Sequence, residues 1–282
     1  MIEPVRSGRR SVAARFLRHR GAAAGLVVVS ALLLAALLAP WLSPFDPNAQ
    51  DLDSGLSGFS ASHWLGQDRL GRDMLSRLIH GSRVSVSVGF GTVAISLCIG
   101  LLAGSASGFF GGRVDSFFMR LCDVLMAFPG ILLAIGITAV LGPSLRNVLI
   151  ALSLLGWVGF ARLIRGQVLK VKEMEFVQSA RASGSPPARI LLAHVLPNAL
   201  SPIIVEATFG IGRAIVAEAG LSFLGLGVAP PAPSWGSMIS EGRHFLFIAP
   251  HITTVPGLAI MVTVMACNLM GDGLRDAMDI RD

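Results

Sequence analysis

Charge is scarce in this chain. Of its 282 residues only 14% are Asp, Glu, Lys or Arg, against a hydrophobic share of 53% and a mean hydropathy of +0.69, whereas about a quarter of a soluble domain is charged. Too few polar groups remain to clothe a water-exposed surface, so the composition reads as a membrane protein. Lysine is nearly missing: Lys170 follows Leu169 and Lys172 follows Val171. A phosphate-binding loop needs Gly-Lys before Ser or Thr so that backbone amides and the lysine surround the phosphates; neither lysine can complete one, and any ATP hydrolysis must occur elsewhere. Cys98, Cys122 and Cys267 are scattered and odd in number, which argues against a disulfide framework or a metal cluster and reads as small buried hydrophobes. His19, His63, His80, His194, His244 and His251 are dispersed, with no His-Glu-x-x-His spacing. An intramembrane hydrolase would need a nucleophile and a base at one membrane depth, and no histidine falls clearly inside an apolar run.

What the chain has instead is long apolar runs. The first, residues 21–42, follows a head bearing Arg6, Arg9, Arg10, Arg15, Arg18 and Arg20. A signal-peptide core is roughly 7 to 15 residues; this run, at about 1.5 Å per residue, is long enough to cross about 30 Å of hydrocarbon, and it reads as a retained span. Further runs at 84–109, 118–141, 147–164, 199–227 and 250–271 approach or exceed a spanning length, and in lipid each must satisfy its backbone internally as a helix. The fold class is all-α, a polytopic membrane protein of about six spans.

The net charge of +6 and pI near 10.5 do not form a basic stripe with interleaved aromatics, so no nucleic acid is implied. Membrane orientation explains the basic residues more simply. The N-terminal arginines stand against Glu3, and the loop after the fourth run holds Arg162, Arg165, Lys170, Lys172, Arg181 and Arg189 against Glu173 and Glu175. The long loop on the other side holds Asp46, Asp51, Asp53, Asp68 and Asp73 against Arg69, Arg72, Arg77 and Arg83. The positive-inside rule therefore puts the N-terminus in the cytosol. The tail, with Asp272, Asp276, Asp279 and Asp282 against Arg275 and Arg281, gets its cytosolic side from the even number of spans. The chain divides into a cytosolic segment 1–20, a first span and external loop 21–83, a core 84–271 containing the cytosolic loop 164–198, and a cytosolic tail 272–282.

Within that cytosolic loop, residues 176–197 read FVQSARASGSPPARILLAHVLP. Gly184 suits the left-handed conformation that closes a helix, and Ser185 with Pro186 suits the cap and first position of the next. Pro197 should limit that second helix, giving two short helices at an angle. The spacing of Gln178, Ser179, Ala180, Gly184, Leu196 and Pro197 resembles the Glu-Ala-Ala loop by which ABC importer permeases dock onto their ATPase subunits. Gln178 stands where the general motif has glutamate, and His194 where isoleucine is frequent. Without the resemblance the loop reads as a solvated amphipathic connector.

Other stretches resemble the same family, specifically the second membrane subunit of the dipeptide, oligopeptide and nickel class. Residues 63–85 (HWLGQDRLGRDMLSRLIHGSRVS) are similar to its external segment before the second span, and 111–129 (GGRVDSFFMRLCDVLMAFP) to its second-to-third span connection. Residues 218–236 (EAGLSFLGLGVAPPAPSWG) are similar to its fifth span and following loop, and 268–276 (NLMGDGLRD) to its tail. The resemblance implies the ABC type I importer permease fold in the cell inner membrane, with alternating access driven by ATPase closure that is transmitted as a rigid-body push on the spans. It implies as partners a second homologous permease subunit, two cytosolic ABC ATPases that bind the ATP and Mg, an extracytoplasmic solute-binding protein, and membrane lipid, with no cofactor in this chain. It implies import of di- or oligopeptides, with nickel or another small solute as the alternative on the same scaffold, and it shifts Asp68, Arg72 and Asp73 from a solvated face toward contact with the binding protein. A channel or ion-coupled carrier acting alone stays open as a different class, although no internal repeat of the kind such carriers show is visible.

Glu206, Arg213 and Glu218 fall in or near the fifth run, where a central charge costs on the order of 2.5 to 3.5 kcal/mol. Arg213 and Glu218 either border the solute pathway, where they would meet peptide termini, or snorkel to the interface or pair with the other permease subunit, with Asp123 a weaker candidate. Glu206 and Arg213, two turns apart, are not expected to pair directly without bending or snorkelling. Gly225, Gly227, Pro230, Pro231 and Pro233 should stop the fifth span and leave Trp235 at the membrane interface, with a place in the binding-protein contact. Gly100, Gly104 and Gly108 offer a small face for close helix packing.

Overall fold

Apart from an isolated bridge between Gln67 and Asp73, every regular element among the described residues is helical. The structure, a computed structural model, describes residues 12–278. Glu3, Arg6, Arg9, Arg10, Asp279, Arg281 and Asp282 lie outside the described residues.

In chain order the helices are α1 (Val12–Arg18), α2 (Arg20–Leu37), α3 (Ala39–Leu42), α4 (Met74–Phe110), α5 (Gly112–Met126), α6 (Gly130–Leu141), α7 (Leu145–Lys172), α8 (Glu175–Ala182), α9 (Pro187–Arg189), α10 (Leu196–Phe223), α11 (Trp235–Gly242) and α12 (His251–Ala277), with a π-helical stretch, Ile190–Val195, feeding α10. Side chains close several of their starts. His19 accepts from the Ala22 amide, Asp73 from Ser76 and Ser144 from Asn147, and Ser234 with Ser237 forms a capping box on α11. At the far end of α10, Gly225 takes a φ of 80°. Its amide bonds the Ser222 carbonyl at 3.0 Å and the next amide, Leu226, bonds Leu221 at 2.9 Å, the Schellman closure that a glycine after a helix permits.

Among the described residues, five helices are long and apolar enough to cross a membrane. The third expected span is not one helix: α5 and α6 meet at an 83° bend. Pro129, at the N-cap of α6 with ψ of 119°, lacks an amide and forces the residue before it away from helical geometry. The pair nevertheless crosses the bundle, because α4 and α7 run parallel: a Cβ on Gly100 would meet Phe160 Cβ at 2.5 Å, one on Gly104 the Ala161 carbonyl at 2.4 Å, and one on Gly108 the Arg165 carbonyl at 2.9 Å. The register advances in the same direction on both helices, so the chain must return between them. These glycines let the two backbones touch, as their four-residue spacing predicts.

Against that parallel pair, α10 and α12 run in alternating directions, and α2 lies along α12, where a Cβ on Gly25 would meet the Ala266 carbonyl at 2.5 Å. Phe16 and Ala22 pack with Ala277, so α1 and the end of α12 share one end of the bundle with the 173–195 turn; the 43–73 loop occupies the other. Large apolar side chains such as Val27, Leu102 and Val140 face outward, the surface a bilayer would cover. Cys122 and Cys267 are buried as expected, while Cys98 is exposed.

Candidate functional site

The elbow between α7 and α10 is a glycine-turned corner whose outer face mixes polar and apolar side chains. Glycine makes the turn: Gly184 has a φ of 78°, its amide bonds Arg181 at 3.0 Å, and Ser185 bonds back to Ala180 at 3.2 Å, a second Schellman closure. The following helix begins one residue later than the sequence predicts, with Pro186 as its N-cap and Pro187 as its first residue. Pro197 does not end it. From Pro187 to Phe223 the chain runs on as one helix, and the π-helical stretch just before Pro197 widens the turn where the missing proline amide would otherwise leave its ring against a carbonyl. Asn198 adds a side-chain donor to the His194 carbonyl at 2.7 Å.

Inside the elbow, Val177, Ile190 and Val195 are buried with Val168 and Val171 of α7 and Ala199 and Ile203 of α10. Outside it, Gln178, Ser179, Gly184 and Pro197 are exposed, as are Phe176 and Leu192, with Ala180, His194 and Leu196 half-buried. The elbow is also tied to the α4–α5 corner: Lys172 Nζ donates to the Gly108 carbonyl at 2.9 Å, and Arg165 grips Asp115 through two bonds of 2.5 and 2.6 Å. A load applied to the outer face would therefore pass into α4, α7 and α10 together.

A cavity of about 440 Å³ opens between α4, α6, α7 and α10. Its wall is mostly apolar or small, including Ile131, Ala134, Phe160 and Gly210, and carries two charges, Glu206 and Arg213. These two pair with each other, through the reach of the long arginine, the condition that their separation sets. The Cα–Cβ bonds of a helix tilt toward its N-terminus, so the long Arg213 leans back toward Glu206. Arg213 thus lies on the cavity wall. Glu218 does not: it is fully buried, accepts a bond from Ser222 Oγ at 2.6 Å and lies away from the cavity wall. Added subunits can only bury it further. Asp123 also misses the cavity and pairs with Arg162 across α5 and α7.

At the opposite end, the residues expected to face a binding protein are turned inward: Asp68 is 2%, Arg72 5%, Asp73 3% and Trp235 2% exposed. Asp68 accepts from the amides of Leu70 and Arg72 and from Arg72 Nε at 2.6 Å. The other arm of Arg72 reaches Glu241 on α11 at 2.5 Å, and Arg77 lies 3.4 Å from Asp68 and 3.5 Å from Glu241. Asp73 caps α4 while its second oxygen lies 2.9 Å from His63. Trp235 sits over Gly81 with its indole nitrogen donating to the Leu78 carbonyl at 3.0 Å, not at a lipid interface. These side chains lock the 43–73 loop and α11 onto the start of α4, so they shape that surface from within. Glu241, essential to this lock, lay unremarked in the sequence because its partners are more than 160 residues away.

Residues 96–281 match the family described as binding-protein-dependent transport system inner membrane component, and residues 9–57 the N-terminal TM domain of oligopeptide transport permease C. The chain is similar to the glutathione transport system permease protein GsiD of Pectobacterium atrosepticum, at 46% identity over 98% of this chain and 92% of that protein. It is equally similar to GsiD of Escherichia coli O6:K15:H31, at 46% identity over 94% and 88%. Among solved structures, the MetNI methionine ABC transporter in an inward-facing conformation superposes with a TM-score of 0.60 at 18% identity, covering 74% of this chain and 98% of that one; that likeness concerns the fold alone.

Proposed function

The chain belongs to the binding-protein-dependent transport system inner membrane components, as a permease subunit of an ABC importer, and on that premise we propose that it carries di- or oligopeptides into the cell. The observation that carries this reading is the near-full-length similarity to permeases named for glutathione transport, a peptide-class solute. The chain works with a second, homologous permease subunit, two cytosolic ATPases that hold ATP and Mg, and an extracytoplasmic solute-binding protein. Gln178, Ser179, Ala180, Gly184, His194, Leu196 and Pro197 form the elbow that the ATPase grips, with the 164–198 loop and both termini in the cytosol and the 43–73 loop outside. Closure of the ATPases pushes the elbow, and its buried valines and the Lys172 and Arg165 ties pass that push to the spans.

The test is reconstitution of this chain with those partners in proteoliposomes. Vanadate-sensitive, ATP-dependent uptake of labelled di- and oligopeptides is expected. Uptake of nickel ion without peptide in the parallel arm, or peptide uptake that needs no ATPase, would replace this reading.

A further inference from the structure

The charge pair on the cavity wall braces nothing. Glu206 and Arg213 both belong to α10, so their contact joins no two helices, and their side chains remain 36% and 62% exposed. In front of them lies open space of about 440 Å³, within the range of about 300 to 1,000 Å³ in which small-molecule sites fall. An ionised group at membrane depth needs a partner, and here each is the other's. Such a pair can be exchanged for outside partners without moving a helix.

We infer that Glu206 and Arg213 form a two-ended receptor for a short zwitterionic peptide lying along α10, its ammonium on Glu206 and its carboxylate on Arg213. The inference rests on the peptide-import reading above. Without solute the two residues neutralise each other; with it, one ion pair becomes two and no charge is left bare. Seven helical residues separate the two Cα atoms by about 10.5 Å along the axis, and both side chains are long enough to swing from their mutual contact onto the two ends of a short peptide. Between the ends the wall offers Gly210 and Ala214 and, across the cavity, Ala134 and Ile131. These make no demand on side-chain chemistry, so selection falls on the free ends. A peptide blocked at one end would break the protein's own pair and leave one charge unmatched, which a site built for pairing rejects.

The test uses the purified assembly of both permease subunits and the ATPases, without the binding protein, so that the latter's own preferences do not enter. The probes are labelled Ala-Ala-Ala, its N-acetyl form and its C-terminal amide. The parent assembly should bind the free tripeptide about tenfold or more tighter than either blocked form. Arg213→Gln should erase the discrimination against the amide alone, and Glu206→Gln the discrimination against the acetylated form alone. The double exchange Glu206→Arg with Arg213→Glu keeps a neutral pair in the membrane and should still bind the free tripeptide. The inference is overturned if the single variants keep both discriminations, if the assembled double exchange no longer binds, or if either single variant loses the second permease subunit on purification, since the pair is then an intersubunit contact. A parent assembly that binds no peptide yet imports peptides with its binding protein overturns the receptor and leaves the import reading standing. One that imports only another class of solute overturns both.

Discussion

The side-chain amide of Gln178 donates to the carbonyl of Lys172 at 3.2 Å, closing the corner between α7 and α8 with a donor that a glutamate at this position would lack. The carbonyl lies at the C-terminal, partially negative end of α7, so the amide suits it and a carboxylate does not. Gln178→Glu and Gln178→Ala should both loosen the first turn of α8 by about 0.5 to 1 kcal/mol. Hydrogen exchange of the α8 amides should quicken in both variants, more in Glu, and equal protection in all three proteins would show that the bond contributes nothing.

Gly184 has no side-chain neighbour within 4 Å at the position of a Cβ, but its φ is 78°. A valine there clashes with its own backbone and nothing else, so the penalty, about 1 to 2 kcal/mol or more for a β-branched residue, falls on the corner and not on the spans. Gly184→Val should leave the assembly's thermal unfolding close to normal while cutting peptide uptake several-fold at a retained ATPase rate. Uptake and hydrolysis that fall together would place the defect in assembly.

Much of this arrangement was legible in the sequence. Apolar runs located the spans because lipid leaves a backbone few options, and the positive φ of Gly184 and the close approach at Gly104 followed from what glycine alone permits. Two classes of feature were not legible. Breaks and continuations around proline depend on which carbonyl is freed and what relieves it, so the 83° bend at Pro129 and the unbroken passage through Pro197 look alike in one dimension. Long-range polar partners were also hidden: Arg72 and Arg77 announce a charged loop, but only the folded chain brings Glu241 to them. Glu218 was ambiguous for a related reason, since a carboxylate in an apolar run signals a partner or cavity without saying which, and the folded chain sets Ser222 on the next turn beside it.

The parallel seam of α4 and α7 should be the least tolerant surface of the bundle. A Cβ at Gly104 would stand 2.4 Å from the Ala161 carbonyl, which cannot rotate away, whereas one at Gly166 on α7 meets nothing within 4 Å. Gly104→Ala should therefore cost about 1 to 3 kcal/mol through enforced separation of the helices, and Gly166→Ala should be neutral or slightly stabilising because alanine is the better helix former. Thermal unfolding of the two variants in the same detergent decides the matter, and a similar midpoint for both would mean that the seam is looser than its geometry.

The charge lock at the 43–73 end sets up the sharpest contrast between removal and conservative replacement. Arg72 serves Asp68 and Glu241 at once, with bonds of 2.6 and 2.5 Å from different arms of one guanidinium. A lysine ammonium is a point donor on a flexible stem and cannot reproduce that fork. Arg72→Ala leaves Asp68 buried beside Arg77 with its main partner gone, a loss of about 3 to 5 kcal/mol when a buried pair is broken, and Arg72→Lys should recover only part of it. Because the lock fastens the loop and α11 to the start of α4, the loss should appear as faster proteolysis within residues 43–73 while α7 and α10 stay protected, with the alanine variant cleaved fastest and the lysine variant between it and the parent. If Arg72→Lys proves as resistant as the parent, one bond to Asp68 or Glu241 is enough and the fork is dispensable.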